Sequence, residues 1–271
     1  MKLPLLNELD FDALSIKCQS APSFPHFCLD NFLEEPFAKE VHDSFPTYGE
    51  AERLGKSFSA VNEKKKIQIS DSKKFPPAIY KLHELLASKE FVEKVSEIMG
   101  IKNLIADPTM MGGGIHETNA GGHLDVHVDF NYNEELGLHR RVNILIYFNK
   151  DWHEDYGGYL DLWDKDVKHC LGSYAPVFNR AAGFTTNEIS WHGVTPITCP
   201  VDRLRKSFAV YYYTKEAPPG WDGVVHSTIF KARPKEFWKG KFAMPAEKFS
   251  KATRGLIRTV KQGIKKLGKS G

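Results

Sequence analysis

Chemistry is densest in seven consecutive residues, His123-Leu124-Asp125-Val126-His127-Val128-Asp129. Read as a β-strand, this run places His123, Asp125, His127 and Asp129 on one face and the three apolar residues on the other, because successive strand side chains alternate. Burying two imidazoles and two carboxylates without compensation is costly. A divalent metal ion would compensate them, and so would ordinary hydrogen-bond partners. A His-x-Asp pair alone does not separate the two readings.

A later strand-like run, Ile189-Ser190-Trp191-His192-Gly193-Val194, carries another isolated histidine. Two histidines and one carboxylate on one face of an octahedral ion leave three positions open, the arrangement used by non-haem Fe(II) oxygenases. Zinc enzymes more often complete a tetrahedron with three ligands and one water. Further on, Arg205-Lys206-Ser207-Phe208-Ala209-Val210 reads as a strand with Arg205 and Ser207 on one face. A guanidinium matches a carboxylate bidentately and a neighbouring hydroxyl adds a further hydrogen bond, so the pair suits the far end of a dicarboxylic acid. The same Arg-x-Ser also suits a surface ion pair. A third run, Arg141-Val142-Asn143-Ile144-Leu145-Ile146-Tyr147-Phe148-Asn149, puts Val142, Ile144, Ile146 and Phe148 on one face and Arg141, Asn143 and Tyr147 on the other. Tyr147 either points its hydroxyl into the same cavity or packs with the hydroxyl satisfied.

Such side chains need rigid elements to aim them. Pro36 suits the first turn of a helix running to about Ser44. Ile79, Leu82, Leu85 and Leu86 recur at helical spacing, as do Phe91, Val92, Val95, Ile98 and Met99 before Gly100. From about Leu104 the period changes to β-rich runs at 104–106, 114–118, 122–130, 141–149, 158–163, 182–186, 190–195 and 205–214. Gly112-Gly113-Gly114, Gly121-Gly122 and Gly157-Gly158 punctuate them. Many short strands with glycine-rich turns predict a sandwich or barrel.

Composition narrows the class. The 271 residues are 41% hydrophobic and 26% charged, which excludes a disordered or collagen-like chain. No apolar run approaches the ~20 residues of a membrane-spanning helix, and the first residues turn acidic before a signal core develops. A cytoplasmic protein is expected. Cys18, Cys28, Cys170 and Cys199 form no Cys-x-x-Cys pair, so they suggest neither a zinc knuckle nor a disulfide framework. The formal charge of +3 is uneven, with 13 Lys and Arg against 2 Glu in residues 231–271.

Taken in order, His127-x-Asp129, Asn143-Ile-Leu-Ile-Tyr147-Phe-Asn149-Lys-Asp-Trp152, Gly157-Gly158, His192 and Arg205-x-Ser207 resemble the prolyl 4-hydroxylase-like branch of the Fe(II)/2-oxoglutarate dioxygenases. Asp30-Asn31-Phe32-Leu33 also looks like this group. The resemblance implies a mainly β chain with packed helices (α+β) and a double-stranded β-helix core of jelly-roll, cupin-like form. The expected organisation is a helical elaboration over 1–103, the catalytic core over 104–232 and a basic, partly helical tail over 233–271. Implied by the likeness are His127, Asp129 and His192 as iron ligands, Arg205 as the partner of the 2-oxoglutarate C5 carboxylate, and Tyr147 as an auxiliary contact, with Ser207 the further candidate that strand spacing puts beside Arg205. His123-Leu124-Asp125 also satisfies His-x-Asp. In the family the motif lies closer to the Tyr-x-Asn strand, which favours 127 and 129 and makes His123 and Asp125 groups that orient the ligands or face substrate.

The implied reaction hydroxylates an unactivated carbon and releases succinate and CO₂, with Fe(II) as cofactor, 2-oxoglutarate and O₂ as cosubstrates and ascorbate as accessory reductant. A competing reading is a catalytically silent β-helix that binds a metal or small acid as sensor or scaffold. The intact His127, Asp129, His192 and Arg205 argue against it. The substrate class stays open among a small polar metabolite, a sugar and a prolyl or peptidyl group. Asn143, Arg141, Asn131, Trp163 and Tyr159 are the candidate rim. At the C-terminus, Phe249, Leu256, Ile257, Val260, Ile264 and Leu267 recur at helical spacing among Lys and Arg. Such a helix suits an anionic membrane surface, or the acidic remainder of the chain itself. No stacking or zinc motif supports nucleic acid.

Overall fold

A computed structural model of the chain describes residues 3–234 and Glu236. Its helices are α1 (Phe11–Gln19), α2 (Glu35–Asp43), α3 (Tyr48–Leu54), α4 (Pro77–Ala87) and α5 (Lys89–Met99). Its strands are β1 (His26–Leu29), β2 (Lys56–Ser59), β3 (Glu63–Ile69), β4 (Ile105–Ala106), β5 (Gly114–Val128), β6 (Tyr132–Asn133), β7 (Leu138–Tyr147), β8 (Leu160–Trp163), β9 (Cys170–Tyr174), β10 (Arg180–Thr185), β11 (Trp191–Val194), β12 (Arg205–Thr214) and β13 (Ile229–Phe230). The main strand order is β1-β10-β7-β12-β5-β11-β8-β9. This mostly antiparallel sheet curls into a nearly closed barrel with a jelly-roll core, as the sequence predicts.

The barrel closes because β5 serves both halves. Its first part pairs with β12, Ile115 opposite Phe208 and Thr118 opposite Arg205, and its last part pairs with β11, His127 opposite His192. The sequence predicts two strands here, 114–118 and 122–130. The structure joins them into one bent strand, and Gly121, with φ +78°, sits at the bend in a region that disfavours other residues.

Alternation along β7 and β12 separates structure from chemistry. Val142, Ile144 and Ile146, with Phe208, Val210 and Tyr212, face outward into a core shared with Ile79, Leu82 and Leu86 of α4 and Phe91 and Val95 of α5. Each large side chain so buried contributes roughly 1.5–3 kcal/mol, which holds this wall rigid. The opposite faces of the same strands line the interior. All three helices that the periodicity predicts are present as α2, α4 and α5. α5 begins at Ser88, whose hydroxyl accepts from the Phe91 amide at 3.3 Å.

The sequence reading passes over α1, α3, the β2–β3 hairpin, β6, β9 and β13. β2 and β3 are polar and lysine-rich, so no apolar alternation marks them. They are strands because β3 pairs with β5, Ile67 opposite Glu117 and Ile69 opposite Ile115. Residues 1–103 therefore supply strands of the sheet as well as helices. Among the described residues, no helix is long and apolar enough to cross a membrane. The amphipathic pattern at 245–271 lies outside the described residues.

Candidate active site

The barrel interior opens into a cavity of about 620 Å³. His127, Asp129 and His192 line it together, and one potential ligand atom from each lies within 4.8 Å of the others. The two histidines face each other across the β5/β11 ladder with ring centroids 4.2 Å apart. Asp129 follows the end of β5, with Oδ1 3.6 Å from His127 Nε2 and Oδ2 3.5 Å from His192 Nε2. Each ring is fixed by its own strand. His127 Nδ1 bonds Asp125 O at 2.9 Å, and His192 Nδ1 bonds Ser190 O at 2.9 Å. A carbonyl can only accept, so each Nδ1 is the donor, which leaves each Nε2 as the ring nitrogen turned toward the cavity.

The charge states fit ligation. Burial, with His127 beside it, pulls His192 down to about 3, so it is a neutral imidazole at ordinary pH. Burial alone would push the Asp129 carboxyl up, but Arg140, His192 and His127 outweigh it and hold it well below the usual carboxylate range. A neutral imidazole at 192 and an ionised carboxylate at 129 are the forms that bind a divalent metal.

Next to this cluster lies a pocket of unsatisfied buried donors. Arg205 is 3% exposed and uses Nε on Gly158 O at 2.6 Å, while its Nη2 has no hydrogen-bond partner. Ser207 Oγ and Tyr147 Oη are likewise buried without one. Ser207 and Tyr147 are opposite each other on β12 and β7, and the Arg205 guanidinium lies 5.0 Å from the centre of the Tyr147 ring. Burial pushes the Tyr147 phenol up to about 12, with Arg205 opposing, so it remains a neutral donor. Buried polar groups are normally satisfied; three converging here fit a carboxylate. Gly158 is part of this fit, because at φ +71° a Cβ would lie 2.9 Å from Arg205 Cδ.

Residues 113–213 match the sequence model of the 2OG-Fe(II) oxygenase superfamily. The chain carries that superfamily's sequence pattern over this stretch. It is a 2-oxoglutarate-dependent dioxygenase. None of the curated proteins compared with it matches. Solved structures share its fold at low identity. A prolyl hydroxylase from Trichoplax adhaerens, solved in complex with a peptide fragment of the hypoxia inducible factor oxygen degradation domain, is 18% identical with a TM-score of 0.55, the match covering 76% of this chain and 89% of that one. A prolyl-4-hydroxylase from Pseudomonas putida is 14% identical with a TM-score of 0.53, covering 74% and 98%. The carbocyclase SnoK of nogalamycin biosynthesis is 10% identical with a TM-score of 0.52, covering 88% and 91%.

Two β-bulges shape this oxygenase's site in ways that strict alternation misses. On β5, one extra residue lies between the pairs His127–His192 and Leu124–Val194. Leu124 therefore lines the cavity with His127. Asp125 is fully buried outside the lining, its Oδ1 3.7 Å from Arg233 Nη1. The expected common face of 123, 125, 127 and 129 does not form, although His123 still reaches the cavity. On β7, the register shifts between the pairs Val142–Tyr212 and Arg140–Tyr213. Arg141 is the residue passed over, and it bonds Thr214 Oγ1 at 3.1 Å away from the cavity. Arg140 takes the inward place.

Arg140 is the main residue that the sequence reading missed. Its Nη2 is 3.1 Å from Asp129 Oδ2, and it donates to Asn143 Oδ1 through Nε at 3.0 Å and Nη2 at 2.9 Å. Asn143 in turn donates to Asp129 Oδ2 at 2.8 Å. Only the adjacent Arg140-Arg141 pair signals this in sequence. His116, Thr118 and Lys66 also line the cavity, beside the ligands rather than among them. The remaining rim candidates lie elsewhere. Asn131 tethers the C-terminal segment through Val224 O and the His226 amide. Trp163 is opposite Trp191 on β8 and does not line the cavity. Tyr159 donates to Glu154 O at an exposed position.

Proposed function

We propose that His127 Nε2, His192 Nε2 and Asp129 hold Fe(II), and that Arg205, Ser207 and Tyr147 hold the far carboxylate of 2-oxoglutarate, in an enzyme that hydroxylates an unactivated carbon of its substrate. The observation that carries this reading is one cavity lined by the His-Asp-His donor set and Arg205, with the unpartnered hydroxyls of Ser207 and Tyr147 buried beside Arg205. The bound iron, with O₂ and the 2-oxo acid, would supply the oxidising chemistry. Per turnover one O₂ is consumed, one oxygen atom ends in the new C–OH and the other in succinate, and CO₂ leaves.

The chain's own residues do the positioning. Arg205 and its two neighbours orient the diacid by charge and hydrogen bonds, which reduces the entropic cost of a productive arrangement. Arg140 and Asn143 fix the Asp129 carboxylate, as groups behind a metal ligand commonly do. Because Asp129 occupies a metal position, no room is left there for a halide, which favours hydroxylation over halogenation. Phe184, Leu160 and Leu145 give the cavity an apolar wall that limits water. His116, Lys66, Gln68 and Asn62 give it a polar one. Such a lining suits a polar substrate, either a small metabolite or sugar or a prolyl side chain of a peptide, as in the Trichoplax complex.

The test is succinate formation from 2-oxoglutarate with Fe(II) and ascorbate, in the presence of each candidate substrate class. Turnover that needs Fe(II) and is lost in Asp129→Ala and His192→Ala supports the assignment. Full turnover in either variant overturns the ligand set.

A further inference from the structure

The superfamily match ends at residue 213, yet the chain beyond it returns to the strands that carry the two histidines. Ile229 and Phe230 of β13 pair with Val128 and His127. The Phe230 ring lies 5.4 Å from the His127 ring. Lys231 N donates to Val126 O at 2.8 Å, and Arg233 then reaches the β5/β11 bulge.

At that bulge the ladder between β5 and β11 is interrupted. A bulge leaves main-chain groups unpaired within the ladder, and buried carbonyls must be satisfied elsewhere. Arg233 Nη2 donates to Leu124 O on β5 at 3.4 Å and to Val194 O on β11 at 3.1 Å. Its Nη1 is 3.7 Å from the carboxylate of Asp125, two residues before His127. One guanidinium thus ties together both strands of the irregular segment, next to both histidines. Gly193 lets the strands approach this closely, since a Cβ there would lie 2.9 Å from Leu124 O. Arg233 itself does not line the cavity.

We infer that Arg233 is a positioning residue for the metal centre, a clamp across the β5/β11 bulge that sets the spacing of His127 and His192. The inference rests on the proposed ligand set. A fork of fixed geometry can bond two carbonyls while its charge faces a carboxylate, whereas a lysine offers one rotatable point charge. The charge-conserving Arg233→Lys is therefore the informative change, and Arg233→Met removes charge and fork together.

The experiment titrates the metal-free full chain with Co(II), reading the dissociation constant and the visible d–d absorption, alongside the melting temperature of each metal-free protein. His192→Ala serves as the control on the ligand set. The expected result is that Arg233→Lys and Arg233→Met weaken Co(II) binding by about 10–100-fold and alter the absorption bands. A lower melting temperature with unchanged Co(II) affinity and bands would show that Arg233 only stabilises the fold, and would overturn the inference. If Arg233→Met does not fold, Arg233→Lys gives the same decision. Unchanged Co(II) binding in His192→Ala is a separate result: it overturns the ligand set, and the clamp with it.

Discussion

Arg140 and Asp129 form a buried ion pair, 3.1 Å between Nη2 and Oδ2, at the centre of the site. The guanidinium packs against two rings, 3.6 Å from the centre of Tyr211 and 4.6 Å from that of Phe130. Asn143 bridges the pair, accepting from Arg140 and donating to Asp129. A carboxylate so restrained presents its remaining lone pairs in one direction.

Disturbing that restraint should weaken the metal site without removing a ligand. Arg140→Met is expected to lower Fe(II) affinity by about 10–100-fold, measured by Fe(II)-dependence of succinate formation. Asn143→Ala should act in the same direction and less strongly. An unchanged half-saturating Fe(II) concentration in Arg140→Met would remove this residue from the site's machinery.

The choice between the two His-x-Asp registers has its own test. Asp129→Ala should abolish iron-dependent turnover, whereas Asp125→Ala, which alters contacts with Arg233 and His123 rather than a ligand, should retain part of it. The reverse order of activities would move the ligand assignment to 123 and 125.

Binding of the cosubstrate should depend on hydroxyl donors that the fold leaves unsatisfied. Tyr147→Phe and Ser207→Ala each remove one hydrogen bond to a charged group, an effect of about 1.5–3 kcal/mol. The KM for 2-oxoglutarate should therefore rise by about 10–100-fold, with Fe(II) affinity unchanged. If KM does not move in either variant, the carboxylate does not sit between β7 and β12.

Stability against pH should report Glu117, a fully buried carboxyl on β5. Burial pushes it up to about 7, opposed by Lys206 and reinforced by Glu50. Below the ordinary carboxylate range both folded and unfolded chains hold the proton, and the group contributes nothing to the pH dependence. As pH rises toward 7 the unfolded chain releases the proton first, so it holds fewer protons than the folded chain and stability drops, by roughly 3 kcal/mol in all. Above 7 the loss is complete. Glu117→Gln should unfold at higher urea concentration than the parent at pH 8 and at nearly the same concentration at pH 4.5. A difference independent of pH would exclude the ionisation as its cause.

Much of the site was legible in residue types and local spacing. Arg205 and Ser207 share an inward face because β12 is regular there, and the same period-two rule puts Val142, Ile144 and Ile146 against the helices. The helical repeats of α4 and α5 were equally plain, since each is a local pattern of burial. Tertiary structure decided what no local period encodes. The β5/β11 pairing, between segments far apart in the chain, sets His192 beside His127. One bulge turns Asp125 out and Leu124 in, and another exchanges Arg141 for Arg140. The polar β2–β3 hairpin becomes a wall of the cavity only by pairing with β5, and the C-terminal strap reaches the ligands only through β13. Alternation is a property of one strand's backbone, whereas register and bulges arise from matching two strands, so they emerge only when the sheet is assembled.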